Sequence, residues 1–305
     1  MNPLATDLDH VLAPPGGLRE ELRGRQIFVT GGTGFIGSHF LKQALAARHH
    51  VFALRRGGGK TRISLPQEPV WLEGNLDRDW SEDFSQCHAL VHLAAVGVSP
   101  QKTDWDELLD VNVQQSLNLW RQAVKAGVKR FVICGSCFEY GKSGERFELI
   151  PADAPLEPTN AYAASKAAAT MAALALAIEA QIELIVLRPF LVFGEGQHES
   201  NFWPSLRKAA LAGEDFPMTA GEQMRDFIPV EKVASVFVDA LARTDLRAGE
   251  PKIENVGTGK PQTLRAFAEF WWKHWSAKGK LKFGAVPYRP NEVMRYVPEI
   301  ATIAR

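Results

Sequence analysis

Thr30-Gly31-Gly32-Thr33-Gly34-Phe35-Ile36-Gly37 is the stretch that decides the fold. It directly follows a short β-branched run at 27–30 and directly opens a helical pattern at 35–47. The glycines at 31, 34 and 37 have separate jobs. They permit a tight turn, let backbone approach a pyrophosphate, and let the helix pack closely on the sheet. The N-terminus of that helix adds free N–H groups and a partial positive charge, which suit a phosphate. Spaced glycines alone say little, and the strand before and helix after give them meaning.

Outward from this turn, runs at 51–54, 70–72, 89–93, 130–134 and 183–187 read as strands, and patterns at 105–126 and 161–180 as helices. Strands alternating with helices imply βαβ units and a parallel sheet covered on both faces. The expected fold class is α/β, a Rossmann doubly wound parallel sheet with a smaller C-terminal substrate-binding α/β lobe. Gly127 reads as the residue that closes the 105–126 helix. After Leu187 the alternation degrades: 190–226 is rich in Gly, Pro, Phe and Trp, before a helix at 230–243 and a strand at 253–256. The expected organisation is an appendage at 1–20, a cofactor domain at 21–190 plus 227–262, and a substrate lobe at 191–226 and 263–305.

Composition narrows the partners. Thirty-five basic and thirty-five acidic residues cancel, so no global field recruits nucleic acid or an anionic membrane. Any anionic ligand must be caught locally. Three scattered cysteines make no disulfide framework, and the N-terminal stretch has neither a basic nor an apolar signal region. The apolar stretch 161–180 carries Ser165, Lys166, Thr170 and Glu179, which reads as a buried helix and not a membrane span. A cytoplasmic location is expected.

Two further motifs carry chemistry. In Tyr162-Ala163-Ala164-Ser165-Lys166, residues four apart share a helix face. Lys166 can then place a cation near the Tyr162 phenol, which favours phenolate and lowers its pKa toward the general acid/base range. Val132-Ile133-Cys134-Gly135-Ser136 runs off the C-terminal end of a strand, the edge where open α/β sheets bind ligands. Ser136 there can hold a substrate oxygen; its plainer reading is a turn or N-cap serine. For the cofactor, NAD sites place an acidic residue about 20 positions beyond the glycines. Here the end of the second strand reads Leu54-Arg55-Arg56 with no acid beside it in sequence. A guanidinium binds a 2′-phosphate that a carboxylate would repel, so NADP(H) is expected, with NAD possible.

TGGTGFIG at 30–37, HLAA at 92–95, Asn112 within DVNV, GSCFEYG at 135–141, YAASK at 162–166, LRPFLVFGEG at 187–196, RDFIPV at 225–230 and NVGTG at 255–259 occur in order. Together they resemble the extended short-chain dehydrogenase/reductase family, in its nucleotide-sugar epimerase/dehydratase/ketoreductase branch. The resemblance implies Ser136, Tyr162 and Lys166 as the catalytic triad, with Asn112 supporting the lysine through water. It implies cofactor contacts at Gly31, Thr33, Gly34, Phe35, Ile36, Gly37, Arg55, Arg56, Asn75, Leu76, Leu93, Ala94, Ala95 and Pro189, besides Tyr162 and Lys166. Ser136 and Phe138 would face the sugar, and Arg225 and Arg289 the diphosphate of a nucleoside-diphosphate sugar. A homodimer through the 105–126 and 161–180 helices is implied as well.

Departures from the family pattern narrow the reaction. Family dehydratases carry Asp-Glu where Cys137 and Phe138 stand, and neither can deliver the proton that expels water. A 3,5-epimerase type uses a Cys and a His where Phe138 and Asn201 stand. Asn75 replaces an Asp that usually reads adenine, and Leu191 replaces an Asn near the diphosphate. What remains is 4-epimerisation or ketoreduction, and Arg55-Arg56 favours NADPH-dependent reduction of a keto-(deoxy)sugar at C4. The segment from Phe216 to Phe227 resembles CDP-abequose and CDP-paratose synthase-like 4-ketoreductases. A reductase of non-sugar carbonyls, which would need no diphosphate cations, and a non-enzymatic cofactor-binding regulator stand as alternatives. Cys134 and Cys137 form a CxxC without a second ligand pair, so no metal is expected. His198 reads as a loop residue, and Trp271, Trp272 and Trp275 as helix packing.

Overall fold

The computed structural model describes residues 26–98, 103–290 and 292–300. The appendage expected at 1–20 and the last residues of the C-terminal lobe, 301–305, lie outside the described residues. The central sheet has seven strands: β1 (Gln26–Thr30), β2 (His50–Arg55), β3 (Val70–Glu73), β4 (Cys87–His92), β5 (Arg130–Cys134), β6 (Glu183–Pro189) and β7 (Lys252–Val256). Their order is β7-β6-β5-β4-β1-β2-β3 and every pairing is parallel. The winding reverses between β1 and β4, so a crevice opens at their C-terminal ends. The expected parallel doubly wound sheet is present.

Side chains alternate along each strand and feed two cores. Ile27 and Val29 point to the face covered by α1 (Phe35–Ala46) and α6 (Val230–Ala240), where Phe40, Leu41, Val233 and Phe237 are buried. Phe28 points to the other face, toward Trp80, Trp120, Ala169 and Ala173. That face is covered by α3 (Ser116–Lys125) and α4 (Ala161–Ala180). A third core of Phe193, Leu206, Phe227, Phe267, Trp271 and Trp272 brings together α5 (Phe202–Ala212), α7 (Leu264–His274) and short strand pairs beyond β6. Phe227 stacks on Phe267 with ring centroids 3.9 Å apart, so the expected tryptophan-rich helix is packing material.

Helix α4 is capped by Asn160, whose side chain accepts from the Ala163 N–H. Its alanines carry little side-chain entropy and bury against the sheet, which explains a long helix of this composition. Among the described residues it is the one helix long and apolar enough to cross a membrane, yet it carries a buried lysine and lies on the sheet.

The helix expected over 105–126 is not a single α-helix. It is α2 (Trp105–Leu109), a π-helical segment (Asp110–Gln115), and then α3. The wider turn swings Asn112 inward, where its amide bonds both backbone groups of Val96 and the Ser165 hydroxyl. Ser116 Oγ donates to the Val111 carbonyl and supplies a side-chain bond within the widened turn. Sequence periodicity does not register one extra residue in a turn. Gly127 ends α3 with φ +92°, as expected.

Candidate active site

The site assembles at the tips of β1, β4 and β5. Gly31 has φ +71°, and a Cβ there would lie 2.5 Å from the Leu93 carbonyl carbon and the Ala94 nitrogen. A Cβ on Gly37 would lie 2.0 Å from the Gly31 carbonyl oxygen. Backbone therefore meets backbone at the turn. Helix α1 begins at Gly34 without a side-chain cap and without an acid in its first turn, leaving its N–H groups for an anion. Leu93 and Ala94 run against this turn, with the Ala94 N–H donating to Thr30 Oγ1 at 3.3 Å, and Ala95 follows them in the chain. The turn fits a dinucleotide pyrophosphate.

His92 ties the tips together, a role its place in the sequence does not single out. Its Nδ1 lies 2.9 Å from Thr30 Oγ1 and its Nε2 3.1 Å from Ser116 Oγ. Burial, with the Lys166 cation beside it, lowers its pKa to about 3, so the ring is neutral. The available signal was a histidine closing the apolar run Ala89-Leu90-Val91.

Ser136 follows β5 in extended backbone and starts a 3-10 turn, Cys137–Tyr140. Its Oγ accepts from the Phe138 N–H at 3.3 Å, so the plainer N-cap reading is also realised. Tyr162 lies in the first turn of α4, with its phenol close enough to Ser136 for the serine hydroxyl to favour the phenolate. Lys166, one turn on and buried, donates from Nζ to the Cys134 carbonyl at 2.7 Å. Asn112 bonds Ser165, the neighbour of Lys166. The structure thus brings Ser136, Tyr162, Lys166 and Asn112 to one place. Phe138, 52% exposed, stands edge-on to Tyr162 with centroids 6.5 Å apart.

The expected shift of Tyr162 is reversed. Burial pushes the phenol above its ordinary pKa of 10, nearby acidic groups including Glu139 add to this, and the Ser136 hydroxyl opposes it. The Lys166 ammonium is turned to the Cys134 carbonyl. The phenol is held neutral.

The Arg55 reading is corrected as well. Glu73 ends β3 in register with Arg55, pairs with its guanidinium and also accepts from the Gly58 N–H. Arg55 lies over the Trp71 ring at 4.8 Å. An acid does stand beside the second strand's tip, supplied by the neighbouring strand. Arg56, Lys60 and Arg62 carry no side-chain ion pair among the described residues. Thr33 faces Gly59 of the same loop, with its Cγ2 3.6 Å from where a Cβ would be. Asn75 is exposed just beyond β3, its carbonyl accepting from the Trp80 indole, while Leu76 and Pro189 are buried.

Arg225 is half-engaged inside the protein. It donates to the Val293 carbonyl at 2.6 Å and to Glu292 at 3.4 Å. Arg289 is exposed, three residues before Glu292. Asn201 precedes α5 without capping it, and Leu191 opens the strand Leu191–Phe193. Cys134 and Cys137 are free thiols that burial pushes up to about 11 and about 12, and no metal-binding cluster occurs among the described residues.

The model of one family, described as the NAD dependent epimerase/dehydratase family, matches residues 27–257. The chain belongs to that family. Among its relatives, GDP-6-deoxy-D-mannose reductase of Pseudomonas aeruginosa (strain ATCC 15692) is 30% identical, over 80% of this chain and 78% of that one. CDP-abequose synthase of Salmonella muenchen is 26% identical, over 88% of this chain and 87% of that one. The solved structure of MoeE5 in complex with UDP-glucuronic acid and NAD is 28% identical, with a TM-score of 0.75 and 90% of both chains covered. As a family member the chain is an NAD(P)-dependent oxidoreductase or epimerase of the extended short-chain dehydrogenase type, and its relatives act on nucleotide sugars.

The neutral His92 under the family's glycine turn makes stability depend on pH. Its folded pKa, about 3, lies below the ordinary 6.5, so the unfolded chain takes up the proton first as pH falls. The contribution is complete above pH 6.5 and is lost progressively toward pH 3, by at most about 1.4 kcal/mol per pH unit. His49, also lowered by burial, has the same sign. Between about pH 6 and 5, above the carboxylate range, the thermal midpoint should fall, and His92→Asn should remove part of that slope. A slope unchanged in the variant would contradict the assignment.

Proposed function

We propose that the protein reduces the keto group of a nucleoside-diphosphate keto-(deoxy)sugar at C4, with NADPH as cofactor. The observation that carries this reading is the placement of Tyr162, a phenol that burial keeps protonated, beside Ser136 and Phe138 and one helix turn before the buried Lys166. A keto oxygen that becomes a hydroxyl needs a proton, and a neutral phenol at hydrogen-bond reach is suited to give it. The nicotinamide, when bound, supplies the hydride. Ser136 orients the carbonyl, Tyr162 donates its proton to the oxygen, and Lys166, once its ammonium leaves the Cys134 carbonyl, steadies the phenolate left behind. Asn112 keeps the α4 turn that carries Lys166 docked to the segment beyond β4. The exposed Phe138 ring offers an apolar wall, which suits a deoxygenated position of the sugar. Arg289, and Arg225 once it exchanges Glu292 for substrate, supply local cations for a diphosphate.

Arg55 no longer carries the preference for NADPH, because Glu73 neutralises it. Arg56 does, exposed and without an ion pair among the described residues, with Lys60 and Arg62 on the same loop. Glu73 also supports a second reading, a 4-epimerase that retains NAD, since a carboxylate at this edge can accept from a ribose hydroxyl. Net consumption of NADPH with each turnover separates the two. We also propose a homodimer through residues 105–126 and 161–180, where the Trp105, Leu109, Met171 and Ile178 side chains are exposed. Three free cysteines support a reducing, cytoplasmic location.

Thermal-shift screening with UDP, CDP, GDP and dTDP selects the nucleotide, since a ligand of the native state raises its midpoint. With the matching 4-keto-6-deoxyhexose, Tyr162→Phe should lower kcat by about a hundredfold or more. Turnover near wild type would sink the proton-donor role. Arg56→Asp should raise KM for NADPH at least about tenfold and spare NADH, and an unchanged ratio rejects the cofactor assignment. Met171→Glu with Ile178→Glu should yield monomers in sedimentation, whereas an intact dimer would place the interface elsewhere.

A further inference from the structure

Glu139 and Arg188 form an ion pair shut away from water, with side chains 0% and 1% exposed and Nε 2.9 Å from Oε2. Such a pair is a poor source of stability, because desolvating both charges offsets their attraction. Its geometry suggests another use. The second carboxylate oxygen of Glu139 accepts the Ser136 N–H at 2.7 Å. Arg188, on β6, donates to the Ala152 carbonyl at 3.1 Å and lies over the Tyr140 ring at 4.6 Å. Tyr140 in turn bonds Asn255 at 2.6 Å, at the end of β7. A Cβ on Gly135 would stand 2.8 Å from Glu139 Oε1 and 2.9 Å from Arg188 Cγ, so the pair presses on the backbone just before Ser136.

Two donors converge on Glu139, the Ser136 N–H and the Arg188 Nε–H, and a carboxylate has an oxygen for each. An amide has one acceptor oxygen and would turn its own N–H groups on the other donor. The fit therefore requires the acid and not merely a polar side chain. We propose that Glu139, held by Arg188, is a positioning residue that fixes the turn from which Ser136 meets Tyr162 and the reacting oxygen. This rests on the role given to Ser136 above.

A double-mutant cycle on the NADPH-bound protein tests it, with CDP-, GDP-, UDP- and dTDP-4-keto-6-deoxyglucose as the probes. Glu139→Gln should lower kcat about tenfold by misplacing the serine, with substrate KM and NADPH Kd little changed. In a Ser136→Ala background the same substitution should cost less than about twofold, because the two act through one group. Amide hydrogen exchange at Ser136, read by NMR, should accelerate about tenfold while Val132 in β5 keeps its rate. An equal kcat loss in both backgrounds, or an unchanged Ser136 exchange rate, overturns the proposal. Should Glu139→Gln fail to fold, Arg188→Lys enters the same cycle under the same outcomes. If Ser136→Ala leaves turnover intact, the proposed function fails, while the exchange rate still decides what Glu139 holds.

Discussion

Direct contact of backbone with backbone at the glycine turn is the constraint under which the rest of the structure is built. Gly37 packs so tightly on the Gly31 carbonyl that no side chain fits between them. This closeness lets α1 start at the sheet edge with its N–H groups uncovered. It also leaves Leu93 and Ala94 in contact with the turn, so the β1 and β4 tips form one surface. A phosphate site made of backbone has no side chain to move aside. Its affinity is set by placement, and placement is set by packing.

Polar groups beneath that surface do the aligning. Thr30, His92 and Ser116 join β1, β4 and α3. Asn112 joins the segment beyond β4 to α4, and Glu139 with Arg188 joins β6 to the turn after β5. Each link is buried, and each connects elements distant in sequence that carry site residues. Buried polar contacts of this kind contribute little net stability but exclude alternative arrangements, since any shift leaves a donor or acceptor unpaired. Rigid tips make a rigid site.

The order of strands, the turn and the Tyr162–Lys166 spacing were legible because each is a local pattern. A glycine spacing, a helix period and an apolar run each lie within a few dozen residues. What was not legible comes from pairing between distant segments. No scan around Leu54-Arg55-Arg56 finds Glu73, because parallel register places it opposite Arg55 from eighteen residues away. Nor does the spacing of Tyr162 and Lys166 reveal that the ammonium turns to the Cys134 carbonyl, thirty-two residues earlier in the chain. The π-helical turn at Asn112 was hidden for a related reason, since its bonding partners are Val96 and Ser165. Glu139 stood in plain view within GSCFEYG, but its meaning depends on an arginine of the next strand.

Three arginines show how one ion-pair chemistry serves different ends according to burial. Arg188 and Glu139 are sealed from water, and breaking that pair would strand a charge in low dielectric, so it is a fixed part of the frame. Arg225 and Glu292 are 13% and 21% exposed, with a longer contact of 3.4 Å, so water or an anion can compete for the guanidinium. Arg55 and Glu73, at 28% and 50%, sit where solvent screens them most. In a chain whose charges cancel overall, a cation proposed to meet a diphosphate is better held by a weak internal partner than left bare. The partner keeps the guanidinium in place and gives way to a ligand of higher charge. On the proposed reading, substrate affinity is the difference between what Arg225 gains from the diphosphate and what it gives up at Glu292, and the looseness of the Arg225–Glu292 contact keeps that loss small.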